Sequence, residues 1–148
     1  MRRGLTLLEL LFAIGLLAGV AAAIVPLTRT ALVAMHDIDQ SLAWQRSADM
    51  TLSEIDRLLL RRDRDSSQSN PIRASNDRFI VRTATGVSVT ITHEGDKLEY
   101  RDGNNDTRLL LGRVSSASFE LSDVAEVFTV TFESSDGLTA MRSWEIGS

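Results

Sequence analysis

At 148 residues, with 43% hydrophobic residues and a formal net charge of −4, the chain has material for one domain. It has no cysteine, which excludes a disulfide framework, so stability must come from packing alone. The first element is residues 1–26: Met-Arg-Arg-Gly, then an apolar run broken by one acid, Glu9, and closed by Pro26. The run from Leu5 to Val25 is about 21 residues, roughly what a helix needs to cross the hydrocarbon core. A carboxylate at the centre of such a segment costs roughly 2.5–3.5 kcal/mol, and less near an end. Glu9 therefore needs a compensating partner, and an ionisable residue inside a membrane helix is a functional candidate by default.

Gly4-Leu5-Thr6-Leu7-Leu8-Glu9-Leu10 resembles the class III signal of type IV pilins and of the pilin-like proteins (pseudopilins) of type II secretion. The resemblance implies that a prepilin peptidase cuts after Gly4 and methylates the new amine of Leu5. It places Glu9 at the fifth mature position and Pro26 at the twenty-second, where the family often carries a proline. Leucine stands here where phenylalanine or methionine is usual, and the leader is very short. Two other readings of the segment stand beside this one. Arg2 and Arg3 could hold a plain signal anchor in the membrane by the positive-inside rule, or Ala21-Ala22-Ala23 could imitate a secretory cleavage site.

Cleavage would leave a positive amine on Leu5 at the cytoplasmic edge of the bilayer. Glu9 is one helical turn away and can shield it within one subunit. In a filament, the resemblance implies that Glu9 meets the Leu5 amine of a neighbouring subunit. Such a pair in low dielectric is register-specific, because leaving either partner alone is costly, so Glu9 is expected to be an assembly key and not a catalytic acid. Gly15-x-x-x-Gly19 gives the helix a small-residue face for close packing, and Pro26 should kink or loosen it where it leaves the bilayer.

Residues 27–63 predict a continuing amphipathic helix. Ala31, Met35, Ile38 and Leu42 step by three or four, and Ala48, Leu52, Ile55 and Leu59 repeat the stripe. The stripe is expected to cover a sheet, with Met35 and Trp44 as packing residues. Glu54 and Asp56, near Arg57, Arg61 and Arg62, read as a solvated ion-pair face. Ser66-Ser67-Gln68-Ser69-Asn70-Pro71 supplies loop chemistry.

From Arg78 onward the period becomes two. Val89 and Ile91, Leu98 and Tyr100, Phe119 and Leu121, and Phe128, Val130 and Phe132 alternate with polar neighbours. Asp102-Gly103-Asn104-Asn105 and Ser135-Asp136-Gly137 read as turns. The expected fold class is α+β: a long N-terminal helix, membrane-spanning in its first half, packed on a C-terminal antiparallel sheet of six or seven strands. The expected division is 1–4 leader, 5–26 transmembrane and assembly helix, 27–77 amphipathic helix and connecting loop, and 78–148 sheet domain. That order matches the pilin fold. The stretch 109–123 also resembles J-type minor pseudopilins and W-type minor pilins.

Asp102, Asn104 and Asp106 form a weak calcium candidate without the spacing of an EF-hand loop, and a hairpin turn accounts for them. His36 and His93 have no second ligand at metal-binding spacing. No Ser-His-Asp set, phosphate-binding glycine loop or zinc-ligand cluster is present, so neither an enzyme nor a cofactor is expected. Removing the leader would move the formal balance from −4 to −6. Residues 57–82 hold seven arginines against three aspartates, whereas 94–148 hold five basic against eleven acidic residues. That asymmetry suits contacts between unlike neighbours. A nucleic-acid role would want exposed basic clusters without acidic competition; the arginine cluster leaves it open, but nucleic acid is not the expected partner.

The expected function is a minor pilin-like subunit of a type II secretion pseudopilus or its tip complex. It would be anchored in a bacterial inner membrane with the C-terminal domain in the periplasm. Expected partners are the prepilin peptidase, other pilin-like subunits in a hetero-oligomer, the inner membrane and a secreted protein substrate. The alternatives are a minor pilin priming a type IV or competence pilus, and an anchored periplasmic binding domain that never polymerises.

Overall fold

A computed structural model describes residues 6–62, 71–122 and 126–146. One helix, α1 (Leu7–Leu60), is followed among the described residues by eight strands in two antiparallel sheets. The chain divides into two units, the first ending at Gln40 and the second running from Ser41, so α1 contributes to both.

The second half of α1 behaves as its periodicity predicts. Ala48, Leu52, Ile55 and Leu59 are buried, together with Trp44 and Leu58. The first half of the stripe does not: Met35, Ile38 and Leu42 are 64, 58 and 44% exposed. Helical spacing marks an apolar face but not what covers it, and in the second unit the first buried residue of α1 is Trp44. The helix stops at Leu60, slightly before the expected end. Its last turn tightens, with Arg61 N donating to Arg57 O and Leu58 O, and Arg62 N donating to Leu59 O. Arg62 then bridges to Thr83, and Ala84 N donates to Arg61 O.

β1 (Ile72–Ser75), β2 (Arg78–Arg82), β3 (Ser88–Glu94), β4 (Lys97–Arg101) and β5 (Thr107–Gly112) form a five-stranded meander in that order. Gly95, at φ 65°, supplies the left-handed conformation that a two-residue hairpin between β3 and β4 requires. β6 (Val114–Ser122), β7 (Val127–Ser134) and β8 (Thr139–Glu145) form a separate three-stranded sheet. The expectation of a single sheet of six or seven strands is thus corrected to two sheets. They part at Arg113, a lone residue at φ 59° that turns the chain between β5 and β6. β1 also falls within the stretch 27–77 expected to end in loop. It is four residues long and points only Ile72 and Ala74 inward, too little alternation to read as a strand. The loop residues 66–70 lie outside the described residues.

One core cluster joins α1 and both sheets of the second unit. Phe79 of β2 is fully buried and stacks on Phe119 of β6, with centroids 6.0 Å apart, and on Phe128 of β7 at 4.6 Å. Phe128 in turn stacks on Trp144 of β8 at 5.8 Å. Polar ties fix the layers around this ladder. Thr51 Oγ1 of α1 donates to Leu110 O of β5 at 3.1 Å, and His93 Nε2 of β3 lies 3.2 Å from Val114 O of β6. Among the described residues the buried indole N–H of Trp44 has no hydrogen-bond partner, a cost its ring burial has to offset.

Asp56 corrects the reading of a solvated ion-pair face. Its Oδ1 accepts a 3.0 Å hydrogen bond from Trp144 Nε1, across 88 residues of sequence, and so ties α1 to β8. Glu54 pairs with Arg108 of β5 at 2.6 Å and more loosely with Arg57 at 3.6 Å. The Arg108 guanidinium also sits 4.4 Å from the Tyr100 ring centroid. Trp144→Phe keeps the stacking on Phe128 but deletes the bond to Asp56. It should lower stability by about 1–2 kcal/mol in a denaturant titration of the full chain. An unchanged midpoint would show that the bond contributes nothing.

Candidate functional site

The residues singled out for assembly lie on the first half of α1. This is the helix that, among the described residues, is long and apolar enough to cross a membrane, and none of its apolar window is buried within the chain. Leu7, Leu8, Phe12 and Leu17 are each 70% exposed or more. Such a surface has no stable place in water and fits single-pass membrane anchoring.

Glu9 stands in the first turn of α1. Its Oε2 accepts two hydrogen bonds from Thr6, one from the backbone N and one from Oγ1, both at 3.0 Å. Glu9 N donates in return to Thr6 Oγ1 at 3.4 Å. Thr6-x-x-Glu9 is thus a capping box: each side chain satisfies a backbone donor that the helix start leaves without an intrahelical partner. The T-x-x-E spacing is the sequence signature of this box, so Glu9 has a partner on its own helix besides the expected amine. A carboxylate has about four acceptor sites, so two bonds from Thr6 leave capacity for a further donor. Gly4 and Leu5, the expected cleavage and methylation residues, lie outside the described residues.

Further along, Gly15 and Gly19 open a shallow apolar groove along one face of α1, flanked by Leu8, Phe12, Leu16 and Val20. Among the described residues a Cβ at either glycine would meet nothing within 4 Å, so the space is there for an approaching surface. α1 runs through Pro26. Just beyond it, Thr28 Oγ1 donates to Ile24 O and Thr30 Oγ1 to Pro26 O, each at 2.9 Å, so both hydroxyls fold back onto carbonyls of the preceding turn.

No known family, characterised protein or solved structure matches this chain. The functional reading therefore rests on the chain's own residues and geometry.

The remaining candidates have structural explanations. Asp102 Oδ1 accepts from Asn104 N at 2.9 Å and from Asp106 N at 3.1 Å, an Asx-type turn between β4 and β5 with Asn105 at φ 65°. Asp102 thus spends a carboxylate oxygen on the backbone of its own loop. No group of three or more His, Asp or Glu side chains is gathered for a metal among the described residues. His36 Nε2 contacts Gln40 Nε2 on α1 at 2.6 Å, and His93 ties β3 to β6. The residues brought together by the fold but missed in sequence are Asp56 with Trp144, and Arg108 with Glu54 and Tyr100. They are too distant along the chain to leave a local signal.

Proposed function

We propose that this chain is a minor pilin-like subunit. It is held in the inner membrane by the first half of α1 and assembles through that helix into a type II secretion pseudopilus or its tip complex. The observation that carries the reading is Glu9: a carboxylate in the first turn of an exposed, membrane-length helix, five residues beyond Gly4. Thr6 takes up only part of the acceptor capacity of that carboxylate, and an ionisable group in a membrane-length helix is a functional candidate by default. Support comes from the architecture too, since a long apolar helix leading into a helix-covered antiparallel sheet domain is the arrangement of pilin-like proteins.

In this reading the prepilin peptidase cuts between Gly4 and Leu5 and methylates Leu5. Thr6 holds the Glu9 carboxylate at the helix start until the Leu5 amine of a neighbouring subunit pairs with it. The low dielectric makes the pair selective for one register, because a shifted neighbour leaves two charges unpaired. The Gly15–Gly19 groove lets adjacent helices approach closely. The sheet domain, in the periplasm, meets other pilin-like subunits or a secreted protein. The test is the N-terminus of the mature protein from its host membranes: N-methylated Leu5 is expected.

A further inference from the structure

Strand register sorts the charges of the second unit onto two outward faces. In the five-stranded sheet, Ile72, Phe79, Val81, Val89, Ile91 and Leu98 point into the core, so their alternating neighbours point out. Arg73, Ile80, Thr90 and Arg101 follow one another across β1 to β4 in a single outward row. Arg78, Thr92 and Glu99 make the next row, with Arg82 and the facing pair Glu94 and Lys97 at its ends. This outward face carries five cations against two carboxylates. It holds five of the eight Lys and Arg side chains between Pro71 and Ile146, in a chain whose net charge is negative. None of the five makes an ion pair among the described residues.

The three-stranded sheet shows the opposite sign. Phe119, Phe128, Val130 and Phe132 point inward, which turns Glu120, Glu133 and Glu145 outward among serines and threonines. Among the described residues no Lys or Arg stands on that outward face. Each face also has an exposed apolar side chain, Leu109 on the basic one at 60% and Met141 on the acidic one at 67%.

We infer that the basic face of the five-stranded sheet docks the acidic face of the three-stranded sheet of a second copy of this chain. The charge complementarity is +3 against −3 over two sheet faces, and both members of the pair are present on one molecule. The contact is heterologous: each copy offers one face to the copy ahead and the other to the copy behind, so it builds rows and not closed dimers. Anchoring every copy in one bilayer raises their effective concentration, and a weak, salt-sensitive contact then suffices. This inference needs only membrane-anchored copies and is independent of processing at Gly4 and Leu5.

Lys97 is the single lysine of the chain and stands on the basic face, which makes the test specific. Full-length protein in liposomes is treated with a carbodiimide, which joins amines to carboxylates in direct contact. Crosslinked copies should carry Lys97 joined to Glu120, Glu133 or Glu145. Their yield should fall about tenfold when salt rises from about 50 to about 500 mM, because exposed charges are then screened within a few ångströms. Arg73→Glu with Arg78→Glu, and separately Glu120→Arg with Glu145→Arg, should each abolish crosslinking within their own population. All four side chains are exposed and outside the core, and circular dichroism checks that both variants fold. Mixing the two variants should restore the link in one direction only, from Lys97 of the copy with the intact basic face to the acidic face of the other. Crosslinking that survives either reversal, mixing that restores nothing, or Lys97 captured in host membranes only by a different protein would each overturn the inference.

Discussion

Glu9→Gln should leave the helix start intact and abolish assembly. Glutamine serves in a capping box as glutamate does, so its side-chain oxygen can still accept from Thr6 N. What it removes is the charge. If the Leu5 amine of a neighbour pairs with Glu9, the variant leaves that amine buried without a counter-charge, at a cost of roughly 3–5 kcal/mol. At about 1.4 kcal/mol per tenfold, that is a loss in subunit association of two orders of magnitude or more. The readout is recovery of the variant with whatever proteins co-purify with the wild type after membrane solubilisation, against its total amount in the membrane. Insertion should be unchanged and co-recovery lost. Thr6→Ala is the complementary variant: it keeps the charge and deletes the cap, for about 1 kcal/mol, and should retain most assembly. If Glu9→Gln assembles as well as wild type, the carboxylate serves only the helix start, and its role as an assembly key is lost.

Phe79→Ala should be the most damaging single truncation in the second unit. Phe79 is fully buried on β2 and stacks on both Phe119 and Phe128 of the other sheet, so it is the side chain through which the two sheets share a core. Truncating a buried phenylalanine costs about 3–5 kcal/mol in lost transfer energy and cavity. A small domain has about 5–15 kcal/mol in total, so the variant should unfold at a much lower denaturant concentration or fail to accumulate. The fluorescence of the two tryptophans, Trp44 and Trp144, follows the transition, since both belong to the core or pack against it. Leu109→Ala on the outward face of the same sheet should stay within about 0.5 kcal/mol of wild type. Similar losses in the two variants would mean that the sheets do not share a core through Phe79.

Much of this architecture is legible in the residues because alternation and helical spacing are local signals. Val89 with Ile91, and Phe128 with Val130 and Phe132, point inward as their period of two requires. Ala48, Leu52, Ile55 and Leu59 do so with a helical period. What stayed hidden depends on single residues or on long range. The break between the two sheets is one arginine with positive φ, and nothing in its composition marks a corner. Met35, Ile38 and Leu42 have the spacing of a buried face yet are exposed, because periodicity does not say where the covering sheet begins. Asp56 looks like one more charge beside arginines until Trp144 arrives from the far end of the chain. At the N-terminus, the Gly4–Glu9 spacing is what carries the proposed assembly role, whereas Thr6, three residues before Glu9, ties that carboxylate to the start of its own helix.

The proposed processing at Gly4 and Leu5 is read out in the mass of the N-terminal peptide. Protein purified from the membranes of its native host should begin at Leu5 and carry one N-methyl group, with residues 1–4 removed. A retained Met1 would make it a plain signal anchor and a start near Ala23 an ordinary secreted protein, and either would contradict the assembly reading of Glu9.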